Sequence, residues 1–171
     1  LLAVIVSQVI SSNLFGNSFF DRQLLDRGID LKFGRGKFSL SQARVVERAH
    51  NDFVSTPSDS KVATVLKHLS QAGQTEAYCL SREGNLEGKL SIIHLIEADK
   101  DQAVREIMDR RPLRLKSDQN MLEAIEVASG FVGETIPVIE EPSGKMIGVV
   151  SESDLFSAYL EIQEQVQDVE K

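Results

Sequence analysis

The clearest pattern of apolar and polar positions in this chain is a helical one. Apolar side chains recur with the i, i+3, i+4, i+7 spacing that lines one face of an α-helix, at Val62, Val65, Leu66 and Leu69. Gly73 follows this face, and a glycine there is typical of a helix C-terminus because it readily adopts the left-handed conformation. Ser58 or Asp59 is the expected N-terminal cap.

The same pattern recurs in the second half of the chain. Its apolar face consists of Met121, Leu122, Ile125 and Ala128, with Ser117 and Asp118 as the expected caps and Gly130 at the end. Each helix is followed by two short apolar strands joined by a turn, at residues 77–80 and 88–93 and again at 136–139 and 148–150. The order helix, strand, turn, strand, helix thus occurs twice. It predicts an α/β (α+β) fold of two similar subdomains packed together, each a small sheet with two helices.

The segments around the repeats are less regular. Residues 1–15 are the most hydrophobic stretch, but their apolar run is about half of the roughly 20 residues that cross a bilayer. They form either a core helix of a soluble domain or the end of a transmembrane helix. Residues 29–38 are predicted to be an irregular linker, and residues 41–52 a helix capped by residues 39–41, with His50 facing solvent near its end. Residues 99–111 join the repeats, and a helix that begins at Glu152 closes the second one.

Composition and charge exclude several classes of function. The net charge of −7 argues against a nucleic-acid partner, because neutralising phosphates requires clustered Lys and Arg. The single cysteine, Cys79, excludes an intrachain disulfide, and its apolar strand indicates a buried structural thiol. We find no catalytic order of nucleophile, base and acid, no phosphate-cradling glycine loop and no metal-spaced His/Cys set. We therefore expect a protein that is not an enzyme and that requires no metal or cofactor.

The second strand of each repeat ends in a matching motif. Gly148–Asp154 reads Gly-Val-Val-Ser-Glu-Ser-Asp, and Gly88–His94 matches it at the glycine and the serine but ends in His94. One interpretation of Ser151 and Asp154 is a capping box, which needs no ligand. The other is a binding site, since the helix N-terminus that follows attracts phosphate in either case.

At these residues the sequence resembles a tandem CBS (cystathionine β-synthase) domain pair, whose second-strand motif is Gly-hydrophobic-hydrophobic-Ser/Thr-x-x-Asp. The resemblance covers roughly residues 53–161. Before it, residues 18–31 resemble the junction between the last transmembrane helix and the cytoplasmic region of CLC chloride channels and transporters. This order favours the membrane-helix interpretation of residues 1–15.

The resemblance implies a site for an adenine nucleotide (AMP, ADP or ATP) as a regulatory ligand. In nucleotide-binding CBS pairs the motif aspartate accepts hydrogen bonds from ribose hydroxyls, which a neutral imidazole at His94 does less well. The residues implied are Gly148, Ser151, Asp154, Ile136, Pro137, Ser91 and His94. In CLC proteins a tyrosine of the junction faces chloride; the matching position here is Phe20, which lacks the hydroxyl.

The resulting hypothesis is a cytoplasmic regulatory CBS pair of a CLC-type channel or chloride/proton exchanger, which is an integral membrane protein at full length. The domains predicted are the end of the last membrane helix (1–20), a linker and helix (21–52), the first CBS domain (53–104), the second (105–165) and a tail (166–171). The partners expected are the transmembrane chloride-transport domain of the same chain and a second copy, in a homodimer formed largely through the second repeat. The alternatives are a stand-alone soluble CBS energy sensor and a dimerisation module without ligands.

Overall fold

The computed structural model describes residues 35–169. The chain forms helix α1 (Arg35–Gln42), a 3₁₀ turn (Val45–Arg48), strand β1 (Val54–Thr56), helix α2 (Val62–Ala72), the hairpin of β2 (Glu76–Leu80) and β3 (Leu86–Ser91), and helix α3 (Ile92–Glu97). A second 3₁₀ turn (Val104–Glu106) leads to β4 (Leu115–Lys116), α4 (Met121–Ala128), the hairpin of β5 (Thr135–Glu140) and β6 (Lys145–Ser151), and α5 (Glu152–Val169). The predicted membrane-helix end, Phe20 and the start of the linker lie outside the described residues.

Two similar units confirm the predicted α/β fold. Each unit contains a three-stranded sheet, in the order β1-β2-β3 or β4-β5-β6, with the first pair of strands parallel and the second antiparallel. The hairpins and the helices before and after them lie where the pattern predicts. The short parallel strands β1 and β4 were not predicted, because two or three residues are too few to show a periodicity.

Each unit has its own apolar core, and a third cluster joins the two. Val62, Val65 and Leu69 of α2 pack beneath β2 and β3, while the face predicted on α4 packs with β5, β6 and α5. Between the units, Tyr78 lies fully buried against Ile139, Met146 and Val149. Its hydroxyl donates to the carbonyl of Thr135 across the interface, at 2.8 Å. The two repeats therefore form one packed body rather than two beads on a linker.

The predicted helix over residues 41–52 is wrong. The helix in this region, α1, ends at Gln42, and the chain then runs as a 3₁₀ turn and extended segment along the second unit. There the Val45 amide donates to the carbonyl of Gln119 at 3.1 Å, and His50 pairs with Val149. Tertiary hydrogen bonds thus replace the helical ones that the local pattern favours, and residues 35–38, predicted as linker, become helix.

The predicted caps of the repeat helices are also wrong. Helix α2 begins after Lys61, which makes no side-chain cap. Helix α4 begins after Asn120, whose side chain accepts from the Glu123 amide while the Glu123 carboxylate accepts from the Asn120 amide, a complete capping box. Gly73 does end α2 as predicted, with a left-handed φ of 68°.

The C-terminal helix leaves less apolar surface than its sequence pattern indicates. Tyr159 is 1% exposed and packs in the core of the second unit, and Phe156 and Leu160 pack against the same core. These three residues were the reason for expecting a dimer through the second repeat. Their packing within one chain removes that reason, and the dimer itself stays a prediction.

Candidate functional site

The segment that precedes the first unit in sequence packs across the second unit, and the segment that precedes the second unit packs across the first. His50, just before β1, exchanges backbone hydrogen bonds with Val149 of β6, at 3.0 and 2.9 Å. Asp109, just before β4, exchanges the same pair with Lys89 of β3, at 2.9 Å each. The two 3₁₀ turns precede these crossings in the same way, so His50 and Asp109 hold equivalent positions, as do Val149 and Lys89.

The glycine of each motif is needed where the segment crosses. A Cβ on Gly148 would lie 2.9 Å from the carbonyl oxygen of His50, and one on Gly88 would lie 2.8 Å from the carbonyl oxygen of Asp109. Both distances are shorter than side-chain carbons tolerate. Gly148 and Gly88 therefore have a packing role whether or not a ligand binds beside them.

Ser151 and Asp154 form the capping arrangement that the sequence offered as one interpretation. The Ser151 amide donates to Asp154 Oδ2 at 2.8 Å, and the Asp154 amide donates to Ser151 Oγ at 3.1 Å. These bonds satisfy amide groups at the start of α5, which otherwise lack partners. They hold the Asp154 carboxylate in one orientation at the edge of the second unit.

A histidine from the crossing segment contacts the same carboxylate. His50 Nε2 lies 3.3 Å from Asp154 Oδ2, and His50 Nδ1 accepts from the Asp52 amide at 3.3 Å. With Nδ1 an acceptor, a neutral imidazole carries its proton on Nε2, the nitrogen that lies beside Asp154. Across residues 35–169, Oδ1 of Asp154 takes no hydrogen bond, and the side chain is 33% exposed. One carboxylate oxygen is thus engaged and the other is open to a ligand.

The first unit presents its motif to a cleft of about 760 Å³. Ser91 Oγ accepts from the Ile93 amide at 3.4 Å and so caps α3, but His94 has no carboxylate with which to complete a box. The residues that line the cleft come from both units: Thr75, Glu76, Lys89, Ser91, Ile92, Ile93, His94, Asp109, Pro112, Leu113, Val127, Gly130, Phe131, Val132, Gly133 and Glu134. The cleft therefore lies between the repeats.

A buried ion pair forms one wall of this cleft. Lys89 Nζ lies 2.8 Å from Glu76 Oε2, with both side chains only about one-tenth exposed, at 12% and 11%. Lys89 also donates to the Thr135 carbonyl at 2.9 Å, and the Thr135 amide donates to Glu76 at 3.1 Å. The ammonium lies over the Phe131 ring, 4.9 Å from its centroid. These contacts tie β2 and β3 of the first unit to the start of β5 in the second.

The structure separates the predicted site residues into two groups. Ser91 and His94 line the cleft, whereas Gly148, Ser151 and Asp154 lie at the His50 crossing. Ile136 and Pro137 are both buried in β5: Ile136 belongs to the core of the second unit, and Pro137 pairs with Val149 of the cluster between the units. Sequence reasoning missed His50 and Asp109. Aligning residues 45–50 with residues 104–109 would have revealed them as one repeated element.

The described part of the chain gives no sign of a metal centre or a membrane span. Within residues 35–169, no three His, Cys, Asp or Glu side chains cluster as metal ligands would. None of the helices in this range combines the length and the apolar character that a bilayer crossing requires.

Comparison with known proteins identifies the fold. Residues 104–161 match the CBS domain family. The chain is similar to the cytosolic domain of the Mg²⁺ channel MgtE in complex with ATP, at 23% identity and a TM-score of 0.63 over 70% of this chain and 50% of that one. It is also similar to CBSX2 of Arabidopsis thaliana in complex with AMP, at 19% identity and a TM-score of 0.61 over 71% of this chain and 98% of that one. The two repeats therefore have the fold of a CBS domain pair.

Two curated relatives are much longer than the matching region. The A-adding tRNA nucleotidyltransferase of Aquifex aeolicus is 30% identical over 118 residues, which are 64% of this chain and 14% of that protein. The magnesium transporter MgtE of Thermus thermophilus is 27% identical over 109 residues, 61% of this chain and 24% of that protein. The shared part is thus a module found in proteins with different activities.

Proposed function

We propose that this chain is a regulatory CBS pair that binds an adenine nucleotide at the Asp154 motif, at the start of α5, and transmits that occupancy to an attached domain. The observation that carries the proposal is the Asp154 carboxylate, fixed through Oδ2 while Oδ1 is open at the start of α5. The similar MgtE and CBSX2 structures hold ATP and AMP, which supports an adenine nucleotide as the ligand.

In the proposed complex, Asp154 Oδ1 accepts a ribose hydroxyl, because an ionised carboxylate oxygen is a strong acceptor. Ser151 and the first amides of α5 lie beside it and suit a phosphate, which the helix N-terminus favours. Gly148 keeps the crossing segment close to the site, and Ile136 and Pro137 of β5 pair with the end of β6, the strand that leads into Ser151. Ser91 and His94 belong to the corresponding position of the first repeat.

Asp154→Asn tests this proposal by calorimetric titration with AMP and ATP. Asparagine keeps the shape and an acceptor for the cap but loses the charge, so nucleotide affinity should fall about tenfold or more, as expected when a charge-assisted hydrogen bond is lost. His94→Ala is the control at the equivalent position and should lower affinity for the Asp154 site much less. If Asp154→Asn lowers only the melting temperature and nucleotide binds as in the parent, Ser151 and Asp154 are a helix cap alone.

For the attached domain, we propose a membrane transporter. The CLC-like junction at residues 18–31 favours a chloride channel or exchanger, whereas the similarity to MgtE favours a divalent-cation transporter. The gene sequence upstream of Leu1 distinguishes these from a stand-alone sensor by the presence of long apolar segments. Flux measurements on the full-length protein in liposomes, with chloride and with Mg²⁺ in parallel, then identify the ion whose transport responds to the nucleotide.

We also propose that the module forms a homodimer. Among residues 35–169, exposed large apolar side chains include Ile93 and Ile96 on α3, which are 63% and 68% exposed. Light scattering at tens of micromolar tests the assembly, and a strictly monomeric mass would contradict it. Ile96→Lys should shift a dimer that uses α3 towards monomer and leave a dimer through the second repeat unchanged.

A further inference from the structure

The two repeats are joined to each other at both ends of their central strands, β2 and β5. At one end the hairpin turns exchange backbone hydrogen bonds, from the Met146 amide to the Gly84 carbonyl at 3.0 Å and from the Leu86 amide to the Gly144 carbonyl at 3.3 Å. At the other end the buried ion pair and its bonds to the start of β5 tie the same two units. A rotation of one repeat against the other would break all of these contacts.

The segment before the first repeat is attached to the second unit alone by its side chains. Residues 35–50 are called the N-terminal arm below. Its helix, α1, packs against α4 and α5, and Leu40 and Val45 are buried in the core of the second unit. Backbone hydrogen bonds at Val45 and His50 hold the rest of the arm. A domain attached upstream, as proposed above, is joined to the repeats through this arm.

The last two basic side chains of the arm both contact α5. His50 Nε2 lies 3.3 Å from Asp154 Oδ2, and Arg48 donates to both carboxylate oxygens of Glu161. Asp154 and Glu161 are seven residues apart, so they lie on one face of α5, two turns from each other. The four side chains are between 33% and 50% exposed, so water screens both contacts and each holds the arm only weakly.

We propose that the N-terminal arm is the output element of the module, and that His50 is the positioning residue that links the arm to the occupancy of Asp154. The inference rests on the proposed function, because it takes Asp154 as the carboxylate that binds the ligand. It concerns the route by which occupancy leaves the second repeat.

The link follows from the two oxygens of the Asp154 carboxylate. Oδ2 accepts from the Ser151 amide and faces His50, while Oδ1 is open. A ligand hydroxyl on Oδ1 favours the carboxylate orientation in which Oδ2 faces His50, so the ligand binds the docked arm more tightly than the released arm. By linkage, the ligand then stabilises the docked arm by the same factor.

Hydrogen exchange of the whole chain, followed by mass spectrometry, tests the inference. Without ligand, His50→Ala should speed the exchange of the amides in residues 43–50 about two- to fivefold, the range expected for the loss of one exposed ion pair. In the parent, saturating AMP should slow this exchange by a similar factor. In His50→Ala, AMP should still bind at Asp154 but should no longer slow it.

Three further variants separate the link from a merely structural contact. His50→Gln is the rescue, because its side-chain amide reaches about as far as Nε2, and it should keep the effect of AMP. Arg48→Ala removes the other contact with α5, so it should speed exchange without ligand yet keep the effect of AMP. His68→Ala is the matched control, since it removes an exposed histidine from α2 of the first unit and should behave as the parent does.

Calorimetric titration of the same proteins with AMP and ATP distinguishes the two ways of failing. If AMP binds the parent but leaves the exchange of residues 43–50 unchanged, or slows it equally in His50→Ala, this inference is wrong and the proposed function stands. If neither nucleotide binds the parent, the proposed function and this inference are both wrong.

Discussion

The two repeats share one backbone and differ in the chemistry placed on it. In both, a crossing segment pairs with the second hairpin strand above a motif glycine. At the residue paired with the crossing segment, however, the first repeat has Lys89 in a buried ion pair and the second has the apolar Val149. Close packing therefore fixes the motif glycines in both repeats, while the side chains beside them differ in chemistry from one repeat to the other.

The N-termini of helices α2 and α4 also differ between the two repeats. Helix α4 satisfies its first turn with the Asn120 capping box, whereas the first amides of α2 donate to the carbonyls of Gln102 and Lys100, at 3.0 Å each. One helix is closed by its own side chains and the other by the connector between the repeats. The first repeat therefore depends more on contacts distant in sequence.

Removing the Glu76–Lys89 ion pair, which the second repeat lacks, should cause the largest loss of unfolding free energy. Lys89→Met leaves the Glu76 carboxylate buried without its partner, which typically costs about 3–5 kcal/mol of unfolding free energy. Urea denaturation followed by circular dichroism measures it. Adding Glu76→Gln to this variant should restore most of the loss, since the amide is neutral and its oxygen still accepts from the Thr135 amide.

An exposed pair serves as the control for that experiment. Lys61 and Asp101 are 2.7 Å apart, but their side chains are 62% and 85% exposed, so water screens the attraction. Lys61→Met should change the unfolding free energy little. A Lys89→Met variant as stable as Lys61→Met would show that the Glu76–Lys89 pair does not join the repeats.

The motif glycines should behave alike. Gly88→Ala and Gly148→Ala each force a methyl group against the backbone of the crossing segment, and overpacking of this kind costs about 1–3 kcal/mol. Gly130→Ala is the control, because no atom lies within 4 Å of its Cβ position. Chemical denaturation gives the three values; a Gly148→Ala variant as stable as Gly130→Ala would contradict the close approach of His50.

Removing a helix cap should change the unfolding free energy by less than the Lys89 and motif-glycine substitutions above. Asn120→Ala removes a complete capping box from α4 and should cost about 1 kcal/mol in thermal or urea unfolding. Lys61→Ala, at the equivalent start of α2, removes no cap and should cost less. Equal losses would indicate that the connector, and not Asn120, determines where these helices begin.

Local pattern was sufficient for the elements that carry their own signal. The i, i+3, i+4, i+7 faces of α2 and α4, the paired hairpins and the Gly73 helix end follow from side-chain periodicity and glycine conformation. The prediction of the caps failed because tertiary hydrogen bonds determine the position of the segment before α2. The carbonyls of Ser58 and Ser60 accept from Arg105 and Val104, at 2.9 Å each, which draws this segment towards the connector and away from a cap position.

The candidate site required the structure because its members come from distant segments. The pattern identified Ser151 and Asp154, which are adjacent in sequence, but His50 meets Asp154 only through the backbone pairing with Val149. His50 was interpreted as solvent-facing on a helix, and its side chain is in fact 40% exposed. The predicted exposure of His50 is confirmed, but the predicted helix is wrong. The contact with Asp154 could not be predicted from a segment whose own pattern favours a helix.

The smallest expected difference concerns two equivalent strand positions, Cys79 of β2 and Val138 of β5, both fully buried. Burial, together with the charge of Glu87, raises the pKa of Cys79 to about 12. In the unfolded chain the pKa of this thiol is 9.0, so above that pH only the unfolded state gains a charge and stability falls as the pH rises towards 12. The loss should be about 1 kcal/mol at pH 9.5. Cys79→Val, which copies the second repeat, should remove this part of the decline, while the buried Tyr78 contributes equally to parent and variant. Urea unfolding of both proteins between pH 7.5 and about 9.5 measures the difference, and parallel curves would show that the Cys79 thiol ionises in the folded protein as easily as in the unfolded chain.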